Sequence, residues 1–325
     1  MEPVIMFVDK WGADPYVPMY LFFGGLTAGV FIAAVLADLL SIKAKRLELV
    51  PRPVAYTAVA CLALGGFFLT FHLGRPVRGL AFPLFFTNEG SWMTRGGWIV
   101  GTASPIVVLY AALWYFGVRA AWRRIVGIIG LPLVVMMAIY TGLLLSSAGF
   151  VALWSQKYLP ILFLNSGLTT GLAAAGLITL LAWPFMAHKA GPDDLKTVTR
   201  WVSAGVIVLI LFEMFELYSF MNYLRSGVER VAFGRVVPPQ AGDLAYQYVT
   251  RGELAPWFWV GVVGVGLTLP LILGVMEFAL GWFQRPFFKA TAMAKFSLIL
   301  IGGVILRFVI VWGGSLKAPL EFPVS

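Results

Sequence analysis

The sequence predicts an all-α, polytopic membrane protein of eight transmembrane helices. Hydrophobic residues make up 60% of its 325 residues and charged residues 12%. A soluble domain is nearer half apolar and a quarter charged. Eight windows each hold about the 20 apolar residues that a helix needs to cross hydrocarbon. Arginines and lysines gather mostly between those windows, as topology signals do.

In chain order the windows run roughly 17–40, 54–73, 96–117, 125–148, 159–187, 201–224, 256–282 and 293–315. The first span opens on Tyr16, Met19, Tyr20 and Phe23, then carries Gly25-Leu26-Thr27-Ala28-Gly29. The second holds the lone Cys61 and stops near Gly74–Pro76, since a proline ends the helix before it. Ser91-Trp92-Met93-Thr94-Arg95-Gly96-Gly97-Trp98 precedes the third. The fourth closes on Tyr140-Thr141-Gly142, Ser146 and Ser147, with Trp154 just beyond. The fifth carries Gly167-Leu168-Thr169-Thr170-Gly171, an echo of the first span. That echo fits a parallel duplication of a four-helix unit, or simply small residues that let helices pack closely. The sixth, seventh and eighth spans enclose Glu213 and Glu216, Glu277, and Arg307.

The connections set the expected topology. Lys43, Lys45, Arg46 and Arg52 follow the first span, and Arg119, Arg123 and Arg124 the third. Lys189, Lys196 and Arg200 follow the fifth, and Arg285 and Lys289 the seventh. The positive-inside rule places these connections in the cytoplasm and both termini outside it. No signal peptide is expected, because Glu2, Asp9 and Asp14 stand against Lys10 ahead of the first span. Two longer connections, Gly74 to Arg95 and Ser226 to Ala255, fall outside and offer a docking surface; the second reads as irregular and partly ordered. No long soluble region remains, so a single integral membrane domain, 1–325, is expected.

Composition also limits the chemistry. The net charge of +9 flanks spans and does not argue for nucleic acid. One cysteine excludes a disulfide framework and iron–sulfur ligation by this polypeptide alone. His72 and His188 fall at opposite ends of their spans, separated by most of the bilayer at about 1.5 Å per residue. They cannot share one haem iron, so no metal site is expected. Electron chemistry would need a diffusible organic cofactor or a metal centre on another subunit.

Candidate residues then fall into two groups. His72 and Arg75 lie within one turn at the outer boundary, beside Tyr20, Trp92, Tyr140 and Ser147. A quinone headgroup needs donors to its carbonyls and a group that exchanges protons near neutrality, which suits histidine. Each of these residues also fits an interfacial anchor or a helix end. Glu213 and Glu216, spaced to share a helix face, lie at mid-depth with Arg307. Intramembrane charges cost about 2.5–3.5 kcal/mol each on insertion scales. They read as a proton relay or as an ion pair that fixes registry. Asp38 and Glu277, nearer the inner face, extend that relay or reach water.

The ordered series resembles a known family. His72-Leu73-Gly74-Arg75-Pro76 is similar to its HLGRP signature, and Ser91-Trp92-Met93-Thr94-Arg95-Gly96 to its SWMSRG-type approach to the third helix. Tyr140-Thr141-Gly142-Leu143-Leu144, Trp154, and Leu162-Phe163-Leu164-Asn165-Ser166-Gly167 with Gly171 resemble its YTG-LL … W … LFL-S-L-TG stretch. Gly302-Gly303 with Arg307 resembles its last helix. The family is the NrfD-like membrane subunit of polysulfide-reductase-type complexes.

The resemblance implies two related four-helix bundles and a menaquinone or similar quinone, bound without haem. It implies partners: a four-cluster ferredoxin-like iron–sulfur subunit and a molybdopterin catalytic subunit that holds the terminal substrate. It places the quinone near the outer face, close to Tyr140. Where a related member has His and Asn at the start of the first helix, this sequence has Met19, Tyr20 and Phe23. The rival expectation is a secondary transporter or channel that uses the same buried charges.

Overall fold

The computed structural model describes residues 14–72, 88–149, 151–186, 191–226, 230–232, 235–237, 240–286 and 288–314. Eight helices among them are long and apolar enough to cross a membrane, so the protein is an all-α, multi-pass membrane protein. These are α1 (Tyr16–Leu40), α2 (Pro51–His72), α3 (Trp92–Tyr115), α4 (Ala120–Ser146), α5 (Leu159–Met186), α6 (Pro192–Arg225), α8 (Trp257–Ala279) and α9 (Phe288–Gly313). Between α6 and α8 lie a hairpin of two three-residue strands, β1 (Arg230–Ala232) and β2 (Arg235–Val237), and a short helix α7 (Gln240–Thr250).

Local chemistry sets the ends. The Asp14 carboxylate accepts from the Tyr16 N–H at 2.8 Å and covers one orphan donor at the start of α1. Pro51 opens α2, where a missing N–H costs nothing. The Ser91 hydroxyl oxygen closes the start of α3 by accepting from Met93 N–H. The helix α6 starts nine residues before its apolar window. Pro192 opens it, and Asp193 and Asp194 meet the positive end of the helix dipole. Its 34 residues span about 51 Å at 1.5 Å each, so its polar ends project past the hydrocarbon.

Two elements depart from the sequence expectation. The connection after α6 reads as irregular but contains α7, which buries Ala241, Ala245 and Val249 at four-residue spacing. The first half of α8, Trp257–Thr268, winds as a π-helix and turns α-helical at Leu269. Pro270 sits in the first turn of that α segment, where its lost hydrogen bond matters least.

Packing centres on α1 and α5. The helix α1 touches α2 and α4, as α5 touches α6 and α9. Likewise α3 pairs with α4 as α8 pairs with α9, and α4 reaches α5 as α9 reaches α1. At the crossing of α1 and α5 the backbones meet at glycines. A Cβ on Gly167 would stand 2.9 Å from the Gly25 carbonyl oxygen, and one on Gly29 would overlap the Gly167 backbone. The small-residue spacing seen in the sequence thus serves a direct helix contact. Buried apolar residues form two clusters. One is drawn mainly from α1–α4; the other from α5–α9 with the start of α1.

The described ends, Asp14 and Gly314, lie on one side of the bundle, called here the terminal side. The opposite, basic side carries Lys43, Arg46, Arg119, Arg123, Arg124 and Arg285.

Candidate functional site

Helices α1–α4 enclose a cavity of about 190 Å³ toward the terminal side. Tyr20 and Thr27 of α1, Gly65 and Leu69 of α2, Ser104 of α3 and Thr141 of α4 line it. The polar tips are few and mostly engaged. Thr27 donates to the Phe23 carbonyl at 2.7 Å, Ser104 to Val100 at 2.6 Å and Thr141 to Ala138 at 2.6 Å. Each hydroxyl spends its proton on its own helix and keeps lone pairs for a ligand.

The exchangeable donors come from two tyrosines. Tyr20, which lines the cavity, and Tyr140, which lies behind it, are buried, and their side chains face each other across α1 and α4. Gly96 makes room for this pair, since a Cβ there would overlap the Tyr140 ring. Outside the lining, α1 and α2 are held together by Phe23 stacked on Phe68, with ring centroids 5.7 Å apart. The lining also includes Gly66, which is exposed on the membrane-facing surface of α2, so the cavity opens sideways toward lipid.

The volume decides what fits. A cavity of about 150 Å³ holds benzene, while pockets for drug-sized ligands start near 300 Å³. At about 190 Å³ this one takes a one- or two-ring planar headgroup, with any long tail leaving past Gly66.

The other predicted headgroup residues lie around that cavity. His72 ends α2 on the terminal side, about one turn beyond the lining residue Leu69. Its Nδ1 stands 2.9 Å from Asp14 Oδ2. Asp14 was not legible as a partner, because 58 residues separate the two. Trp92 is in the first turn of α3, where the Arg95 guanidinium lies 5.1 Å from its ring. Ser147 caps α4, exposed, and donates to the Leu144 carbonyl at 2.7 Å. Neither lines the cavity. Arg75 lies outside the described residues. Trp154, just beyond α4, is buried and donates to the Ile310 carbonyl of α9 at 2.9 Å.

A second polar centre occupies α5, α6 and α9. Glu213 is faced by the hydroxyls of Ser166 and Thr169 and by the Arg307 guanidinium. Glu216 accepts from Asn165 Nδ2 at 3.2 Å. Arg307 lies over the Phe163 ring at 3.8 Å and donates to the Phe163 carbonyl at 3.2 Å. Glu216 Oε1, Arg307 Nε and Arg307 Nη1 are buried without a hydrogen-bond partner. Beside Glu213 a void of about 10 Å³, roughly one water in size, is lined by Ser166, Thr169, Thr170 and Gly302. Arg307 also approaches α1: a Cβ on Gly25 would stand 3.4 Å from Nη2, and the neighbouring Gly24 lines the large cavity.

Two further ion pairs lie toward the basic side. Asp38 of α1 faces Arg124 Nε at 3.3 Å and Arg123 Nε at 3.7 Å, and accepts from the Tyr110 hydroxyl at 3.3 Å. Glu277 of α8 pairs with Lys295 of α9, with Ser203 of α6 between them. Lys295 was missed in the sequence because it lies near the edge of an apolar window, where a cation reads as a flank.

The sequence matches the family described as Polysulphide reductase, NrfD, over residues 10–318. It is 26% identical to the C chain of polysulfide reductase from Wolinella succinogenes over 321 residues, 92% of this protein and 93% of that one. It is 27% identical to protein NrfD of Escherichia coli over 324 residues, 92% of this protein and 94% of that one. The C subunit of selenate reductase from Mesobacillus selenatarsenatis is 23% identical over 312 residues, 82% of this protein and 66% of that one.

Proposed function

This chain belongs to the NrfD polysulphide reductase family, and we propose that it is the quinone-reactive membrane subunit of a respiratory reductase complex. The observation that carries this reading is the cavity of about 190 Å³, lined by Tyr20 with Tyr140 behind it and by the exposed Gly66. Menaquinol or a related quinol, when bound, supplies two electrons and two protons. Tyr140 and Tyr20 orient the ring by hydrogen bonds to its oxygens, and Thr141 and Ser104 accept from its hydroxyls. The apolar walls on α2 and α3 exclude water. His72, oriented by Asp14, takes the proton that leaves on the terminal side. Trp92 and Ser147 belong to the rim on that side.

In this reading both termini face outward from the cytoplasmic membrane of a prokaryote, because the basic connections stay inside. Electrons leave on the terminal side to a four-cluster ferredoxin-like subunit, which passes them to a molybdopterin catalytic subunit. The relatives named for polysulfide and selenate reductases support a partner of that kind. The mirrored contacts of α1–α4 and α5–α9 support two related four-helix bundles within one membrane domain. Glu213, Glu216 and Arg307 carry charge or protons at mid-depth; Glu277 extends them toward the basic side, and Asp38 is held as a buried charge by two arginines. A transporter would use the same charges but leaves the ring-sized cavity without a role.

The test is Tyr140→Phe in the assembled complex. It removes one hydroxyl in a buried site, and quinol-dependent turnover should fall about 10- to 100-fold, equivalent to about 1.4–2.8 kcal/mol. Unchanged turnover with normal assembly would reject the cavity as the quinol site.

A further inference from the structure

The buried pair Glu277–Lys295 carries a role that its N-terminal counterpart does not. Asp38 is held by two guanidiniums, Arg123 and Arg124, with side chains 12% and 26% exposed. Arginine keeps its proton in any protein environment, so that pair cannot pass one on. Glu277, in contrast, faces a lysine. Lys295 is 0% exposed and Glu277 1%, within a span of the bundle. Lysine exchanges protons readily once desolvated.

The surroundings are arranged for exchange. Lys295 Nζ donates to Ser203 Oγ at 2.6 Å and to Glu277 Oε2, and Ser203 Oγ lies 3.2 Å from the same carboxylate oxygen. The other carboxylate oxygen, Glu277 Oε1, is buried without a partner. A carboxylate oxygen left so costs free energy unless a proton or a water reaches it. The Phe296 ring, 5.0 Å from Nζ, closes another side. Glu277 is the one charged group paired with Lys295 among the described residues.

The helix α6 links this pair to mid-depth. Ser203, Val206, Ile210 and Glu213 are all buried, at the spacing of one helix face. Ser203 and Glu213 are ten residues apart, about 15 Å along the axis. Val206 and Ile210, both 0% exposed, form an apolar barrier between the two polar stations.

We propose that Lys295, Glu277 and Ser203 form a proton-exchange station that supplies Glu213 from the basic side. Lys295 gives up one proton from Nζ toward the Glu213 carboxylate, across the Val206–Ile210 barrier when water enters it. Glu277 takes one proton from the basic side at Oε1, and rotation of the protonated carboxyl hands that same proton to Lys295 Nζ. One proton enters and one leaves, and the pair regains its charge. This rests on the quinol reading above, so two quantities are needed from the intact complex in proteoliposomes. Uncoupled quinol turnover reports that reading; protons moved across the membrane per electron report the station.

Two variants test it. Glu277→Gln with Lys295→Met removes both charges at once and leaves none unpaired, which buried pairs generally tolerate. Lys295→Arg keeps the charge but substitutes a group that holds its proton. Both should assemble and keep turnover within about twofold of the parent, an effect under about 0.4 kcal/mol. Both should lose transmembrane proton movement, leaving the protons that quinol itself releases. An unaltered proton-to-electron ratio in either variant overturns the station, as does a parent complex that moves no protons beyond those of quinol. Failure of both variants to assemble would assign the pair to folding and equally overturn it. Lost turnover in Tyr140→Phe bears only on the cavity.

Discussion

Helices α1–α4 and α5–α9 make corresponding contacts, yet they keep different things inside. The first group encloses about 190 Å³ with Tyr20 and two threonines at its edge, and one buried acid tied to two arginines near the basic side. The second holds a void of about 10 Å³ beside Glu213 and buries Glu213, Glu216, Glu277, Lys295 and Arg307. Room and charge are thus separated. An apolar ring is best held where little competes for its oxygens, and protons are best held where carboxylates and an ammonium are shielded from bulk water. The two meet at Gly24–Gly25 of α1, with the cavity on one side and Arg307 on the other.

The largest effect should come from the junction between the groups. Gly29→Leu puts a side chain into the Gly167 backbone, and the protein should fail to accumulate in membranes, measured by immunoblot. Overpacking of this kind costs about 1–3 kcal/mol even where neighbours can shift, and backbone cannot. Next, Gly66→Trp strikes only the first group. A Cβ there meets nothing within 4 Å, so folding should be unaffected. Quinol turnover should drop about tenfold or more, or about 1.4 kcal/mol, with thermal stability unchanged.

Glu213→Gln strikes only the second group. It should lower protons moved per electron while uncoupled turnover stays near the parent's. A matched loss of both would mean that the two groups do not divide the work. A smaller effect is expected at the terminal side. Asp14→Asn and His72→Gln should each slow turnover severalfold, and the double variant no further, because the two act as one unit. Additive losses would separate them. The smallest is Ser147→Ala, exposed and bonded to its own helix, which should stay within about 0.5 kcal/mol of the parent in assembly and activity.

The spans were legible because hydrocarbon imposes one rule on every crossing helix, and apolar length reports it directly. What hydropathy does not encode was lost. The π-wound half of α8 is as apolar as an α-helix would be, and α7 has only three buried apolar side chains, Ala241, Ala245 and Val249. In the site, Tyr140 was legible through a family motif, whereas its pairing with Tyr20 spans 120 positions and needs the fold. Asp14 reads in the sequence only as an acid ahead of the first span; the fold gives it the start of α1 and a bond to His72. Glu213 and Arg307 stood out because charge at mid-span is costly. Lys295 did not, since a lysine near a window edge looks like an anchor until α8 is seen to bury it.

The glycine contact between α1 and α5 has one more consequence. With main chain lying on main chain, neither half has the slack to swing or slide against the other without breaking the joint. Alternating exposure by rocking of two rigid halves would have to open this joint. A change of field and side-chain pose would cross the same spine with the joint left shut.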